Sequence, residues 1–72
     1  MKYFDTNKVV RVGDKILYAG NPGAIVFLID DDSYSEHFTK AQWSYLGKGL
    51  GLELQDGTLY VLETVDEDLE PL

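Results

Sequence analysis

The chain of 72 residues has no cysteine, which excludes disulfides and thiolate metal sites. It has one histidine, His37, so no metal site built on several histidines can form within one chain. Bases are scarce: six stand against thirteen acids, a formal net charge of −7 at pH 7. A surplus of this sign repels nucleic acid and anionic membrane surfaces. The longest apolar run, Ala24 to Ile29, falls far short of the ~20 residues that cross a bilayer. The opening Met1-Lys2-Tyr3-Phe4-Asp5 is not followed by the apolar stretch of a secretory signal. These absences lead us to expect one cytoplasmic domain, residues 1–72, with no cofactor, no bound metal and no membrane contact.

What is present is a core and an uneven charge. Hydrophobic residues make up 44% of the chain, enough to build an interior. A domain of this size still buries only about 60% of the surface its unfolded chain exposes, so its stability is marginal. With disulfides and metals set aside, a partner is the remaining stabiliser, a second copy of the chain included. Residues 1–29 hold four bases (Lys2, Lys8, Arg11, Lys15) and two acids (Asp5, Asp14). Residues 30–72 hold eleven acids and two bases (Lys40, Lys48). The second half therefore calls for a basic protein partner or serves solubility.

Along the chain, the periodicity is that of strands. Val10 and Val12 alternate with Arg11, as on a half-buried strand from Val9 to Gly13. Lys15-Ile16-Leu17-Tyr18 continues in β-forming residues, and Asn21-Pro22-Gly23 has the composition of a turn. The run Ile25-Val26-Phe27-Leu28-Ile29 is apolar on both faces of a strand and predicts a central position, covered on each side. Residues 31–46 form one long loop or a short helical turn. Gly47, Gly49 and Gly51 alternate with Lys48, Leu50 and Leu52, which fits a strand with one bare face. Leu50, Leu52 and Leu54 share a face, and Asp56-Gly57 marks a hairpin returning through Thr58–Leu62. In the acidic tail, Leu69 and Leu72 are candidates to dock on the core. About five short strands in so small a chain bury their apolar faces by curling into a small, partly open barrel.

Two resemblances follow from these residues. Val12-Gly13-Asp14-Lys15-Ile16, then Gly20, Gly23 and the strand Ala24–Ile29, resembles the opening of SH3-like barrels of the KOW type. Gly49 to Leu54, Asp56-Gly57 and Thr58–Leu62 are similar to the closing hairpin of such barrels. That resemblance spans Val9 to Leu62, with residues 31–46 as an insertion. It implies a mainly β fold and binding of RNA or of ribosomal and transcription proteins through basic loops. This chain departs from it in charge, since its long loop opens with three aspartates and nucleic acid is disfavoured. The whole chain is also similar to small bacterial proteins of toxin–immunity loci. The carriers are Trp43-Ser44-Tyr45-Leu46, Asp56-Gly57-Thr58-Leu59 and the acidic stretch Asp66–Glu70. This second resemblance implies an immunity-like, protein-binding role.

No residue set specifies catalysis. His37 has no serine in an elbow motif to activate, and Asp30-Asp31-Asp32 does not match the alternating acids, glycine and terminal glutamate of a calcium loop. Gly47, Gly49 and Gly51 have the wrong spacing for a phosphate loop. We therefore expect a non-enzymatic binding module. The candidate surface combines Asp30, Asp31 and Asp32 with the inserted Tyr34, His37, Trp43 and Tyr45 and the tail acids Asp66, Glu67 and Asp68. Tyr34, Phe38, Trp43 and Tyr45 form either a satellite core that pins the inserted segment or a recognition surface, and the two readings are compatible. Tyrosine and tryptophan are enriched where proteins bind one another, because they bring large rigid area with one polar group. The alternatives are a KOW-like nucleic-acid or ribosome-associated domain using Lys8, Arg11 and Lys15, and a homo-oligomeric structural protein whose sheet edges pair.

Overall fold

The computed structural model describes all residues, Met1–Leu72. It is mainly β: β1 Lys15–Tyr18, β2 Asn21–Leu28, β3 Ser33–Tyr34, β4 Leu50–Leu54, β5 Leu59–Leu62 and β6 Leu69–Pro71. One helical turn, α1 Lys40–Trp43, runs on into a 3₁₀ turn, Ser44–Leu46. All six strands are antiparallel in one sheet, ordered β5-β4-β2-β1-β6, with β3 pairing only β2. The path is open, because β5 and β6 end it and no ladder joins them. The expected partly open barrel is thus an open sheet of six strands. No helix is long and apolar enough to cross a membrane.

β2 is the organising strand. It pairs β4 along one side, and β1 and then β3 along the other. Its register slips at Val26: Ile25 faces Leu52, whereas Phe27 faces Gly51 and Leu28 faces Leu50. This bulge changes which side chains share a face. Ile25 and Leu28 both enter the main core, with Ile16, Leu50, Leu52, Leu54, Leu69, Val10 and Tyr3. Phe27 is left on the outer face, fully buried there. The doubly apolar run predicted as a covered central strand is accounted for by these two interiors.

Phe27 needs the space above Gly51. A Cβ built on Gly51 would clash with three carbons of the Phe27 ring, so a larger residue there would displace the ring. The ring is then roofed by the segment after β3. Trp43 stacks on it at 5.0 Å between ring centres, and Tyr34 and Phe38 each lie at 6.4 Å. Residues 31–46 thus contain the short helical turn, one of the two expected forms, preceded by β3. β3 starts the segment, the Thr39 N–H donates to Gln42 Oε1 at 3.2 Å at the helix start, and the aromatic roof holds it down.

Several local expectations are corrected. The turn sits at Ala19-Gly20 and not at Asn21-Pro22-Gly23, which belong to β2. Tyr18 pairs Asn21, and both intervening residues have positive φ (Ala19 49°, Gly20 84°), the two-residue turn that suits a twisted hairpin. Pro22 is accommodated near the strand's start. Val9–Gly13 forms no strand of its own. Lys2 bridges Val9 in a small N-terminal hairpin instead, which buries Val10 and Tyr3. Of the three glycines, Gly51 alone lies in a strand. The Asp56-Gly57 hairpin forms, with the Leu54 N–H donating to the Thr58 carbonyl at 2.8 Å. In the tail, Leu69 docks and is buried, while Leu72 stays exposed.

Gly51→Ala should lower unfolding stability by about 1–3 kcal/mol, the usual range for forcing atoms into a packed interior. Phe27→Leu in the same chain should recover part of that loss, so the two substitutions are non-additive. Urea unfolding midpoints of the two single variants and the double variant check this.

Candidate functional site

The inserted segment was expected to gather acids and aromatics on one surface. Its three aspartates are engaged separately. Asp30 Oδ1 accepts a hydrogen bond from the Gly49 N–H at 2.8 Å, tying the end of β2 to the entry of β4. Asp31 lies 3.7 Å from the Met1 ammonium. Asp32 pairs with Lys40 at 3.0 Å, both side chains being largely exposed, an arrangement that contributes little stability. No three acid or histidine side chains come together as a metal-binding group.

The aromatics divide. Tyr34 and Trp43 are half-buried against Phe27, so only part of each ring meets solvent. Tyr45 projects, 76% exposed. His37 is exposed and belongs to no ion pair. Outside stand Tyr45, His37 and part of the Tyr34 and Trp43 rings, beside a scattered set of acids.

The tail acids lie elsewhere. The Asp68 carbonyl accepts from the Ala19 N–H at 2.9 Å, which places the tail at the β1–β2 turn. Asp30 stands beyond the other end of β2. Eight residues of β2 separate them, roughly 25 Å at ~3.3 Å per residue. Asp66, Glu67 and Asp68 thus form a second patch, apart from Asp30–Tyr45.

That second patch has aromatic company which the sequence did not disclose. The Tyr18 hydroxyl donates to Asp66 Oδ2 at 3.4 Å, and the Tyr18 and Tyr60 rings meet at 5.1 Å between centres, inclined at 50°. Asp66 Oδ1 also accepts from the Asp68 N–H at 3.0 Å, which fixes the carboxylate beside the phenol. Tyr60 comes from β5 and Tyr18 from β1, strands that are not neighbours in the sheet, so the two rings meet across its inner side. One sequence signal pointed this way. Tyr60 alternates with Leu59 and Val61 on β5, which sets it on the same face as Leu62 and the core.

The electrostatics follow from the count of pairs. Three ion pairs serve thirteen acids, and Lys2, Lys8, Arg11 and Lys15 take part in none of them. The acid surplus is therefore not neutralised internally. The Tyr18 phenol lies above the ordinary tyrosine value, raised first by burial, then by the negative charge of Asp66 and its hydrogen bond, then by Asp68 and Tyr60. Tyr3 is raised as well, by burial and then by its hydrogen bond to Asp14, whose Oδ2 accepts from the phenol at 2.8 Å. The Thr58 N–H lowers the exposed Asp56 carboxyl.

The clefts are shallow. The largest, about 390 Å³, is lined by Lys15, Pro22, Ala24, Glu53, Gln55 and Leu72 among others and gathers no catalytic set. No protein-family model, curated protein or solved structure matches this chain.

The tyrosines give a pH test. Both raised phenols hold their protons more tightly in the folded state than in the unfolded chain. Their contribution to stability is therefore complete below pH ~10 and is lost as pH rises through the folded values. Asp66→Asn should bring the Tyr18 titration part of the way back and leave that of Tyr3 in place. An NMR pH titration of the tyrosine ring carbons reads both, and a Tyr18 titration unmoved by the substitution would exclude the carboxylate as a cause.

Proposed function

We propose that this chain is a non-enzymatic protein-binding module that engages a basic protein partner. The supporting observation is the pairing deficit: thirteen acids, three ion pairs, and a tail patch in which Asp66, Glu67 and Asp68 stand beside two tyrosines. Uncompensated surface charge of one sign accelerates encounter with the opposite sign and suppresses like-charged partners. Tyrosine faces beside carboxylates are also suited to lysine and arginine, through cation–π contact and charge together. The Tyr18–Tyr60 patch supports this role better than Asp30–Tyr45, where Asp30 and Asp32 are already engaged and Tyr34 and Trp43 are packed on Phe27. Tyr45 and His37 remain as a second, smaller contact area in the same reading.

The SH3-like, KOW-type assignment is part of the proposal. It draws on the antiparallel path and on the return of β6 beside β1. An immunity-like role in the cytoplasm fits the same reading, since such a protein covers a basic surface without chemistry of its own. The nucleic-acid alternative draws on the unpaired Lys8, Arg11 and Lys15, against an overall charge that repels phosphate.

Capture from the native lysate at low and high salt, with identification by mass spectrometry, tests the proposal. The captured proteins should be basic and lost at high salt. Glu67→Lys with Asp68→Lys should weaken capture by about tenfold at low salt, chiefly through slower association. Capture indifferent to both salt and charge reversal would refute it.

A further inference from the structure

The two ends of the main strand path are built differently. β6 carries Glu70 and ends at Pro71, which has no N–H to offer a further strand. β5 reads Leu59-Tyr60-Val61-Leu62, with no charge, no proline and no irregularity in its pairing with β4. Tyr60 is 40% exposed and Val61 43%. The Leu54 N–H bond to the Thr58 carbonyl sets the alternation along this ladder. Thr58, Tyr60 and Leu62 turn their backbone groups toward β4, whereas Leu59 and Val61 turn theirs outward. An open, apolar strand edge of this kind is a template for another strand.

Its surroundings select the strand. Glu53 pairs with Leu59, Asp56 lies in the turn before β5, Glu63 follows Leu62, and Asp66 stands beside the Tyr18 that touches Tyr60. Lys48, 3.8 Å from Glu63, is the only cation paired there. An uncharged edge is thus ringed by carboxylates. A second copy would bring the same ring of like charge against it, whereas a basic segment would be drawn in. Side-chain sites exist on both faces. The Tyr18–Tyr60 pair lies on the inner face, and a small cleft of about 120 Å³ between Leu46, Val61 and Leu62 lies beside the strand.

We propose that β5 is a docking edge, onto which an extended basic segment of a protein partner adds as an antiparallel strand. Main-chain bonds to Leu59 and Val61 hold the segment. Its inward residues, lysine or arginine, lie over Tyr60 near Asp66, and its outward apolar residues lie along Val61 and Leu46. This inference rests on the basic-partner reading and adds to it the mode of binding.

An alternating lysine–valine octapeptide is the probe, with a glutamate–valine octapeptide as its counterpart. Titration into the intact chain, followed by NMR, should shift the Leu59–Leu62 resonances and slow amide exchange at Leu59 and Val61. The glutamate peptide should do neither. Val61→Pro removes an N–H that the fold does not use, so it should weaken the lysine peptide by about tenfold or more while the chain stays folded. No binding of the lysine peptide, unchanged exchange at Leu59 and Val61, or full binding by Val61→Pro would overturn strand addition. Concentration-dependent dimerisation abolished by Val61→Pro would overturn it too, in favour of self-pairing. The exchange measurement uses the unsubstituted chain, so the proposal stays testable if the proline variant fails to fold. Peptide binding that survives Val61→Pro but is lost with Glu67→Lys and Asp68→Lys would reject the docking edge and leave the basic-partner reading standing.

Discussion

Phe27 can stand on the outer face of the sheet only because Gly51, its partner across the ladder, has no side chain. The bulge at Val26 sends Phe27 to that face, and the missing Cβ gives the ring its place. Once seated, the ring is an apolar surface that must be covered. Trp43, Phe38 and Tyr34 cover it, which brings down the whole stretch from β3 to the 3₁₀ turn. Asp30, bound to the Gly49 N–H, ties the two ends of that stretch together. The inserted segment is thus as much a consequence of Gly51 as of its own residues. Tyr34, Phe38 and Trp43 are half-buried by this packing, and Tyr45 stays exposed.

The main core obeys a different constraint. Ile25 and Leu28 reach it from both sides of the bulge, and the N-terminal hairpin closes it with Tyr3 and Val10. The open path of the sheet then leaves two ends to manage. At one, β6 is acidic and ends in proline; at the other, β5 is apolar and regular. Natural sheets blunt the edges they do not use, commonly with charge, proline or a bulge. That β6 follows this practice and β5 does not is an asymmetry internal to the molecule. It weighs more than the bare exposure of any one residue, because scattered exposed apolar side chains are ordinary.

How much of this was legible in the sequence depends on how local each determinant is. The mainly β class, the doubly covered strand, which ends at Leu28 and leaves Ile29 in the turn, the leucine face of β4 and the Asp56-Gly57 hairpin are present and rest on short stretches of sequence. Asn21-Pro22-Gly23 has turn composition yet lies in β2, because two-residue hairpin geometry puts the β1–β2 turn at Ala19-Gly20. Val9–Gly13 has strand periodicity but lacks a neighbour to extend it beyond one bridge. The acid and aromatic residues of 30–45 are close in sequence, which leaves both a packed satellite core and a shared surface open. Their side chains follow separate duties, to Gly49, to Lys40 and to Phe27. Tyr18, Tyr60 and Asp66 come together only through the pairing of distant strands, a relation no local pattern contains.

The placement of charge links these points. An apolar edge and a strongly acidic composition conflict if each is judged alone, since one invites association and the other repels copies of itself. On the proposed reading they discriminate together. The carboxylates around β5 raise the energy of pairing with an identical, equally acidic chain, while the edge keeps its capacity to pair with a strand of opposite charge. On the proposed reading the charge surplus also decides what the β5 edge accepts. On this argument the −7 charge and the bare β5 edge form a single device, and neither feature is fully explained without the other.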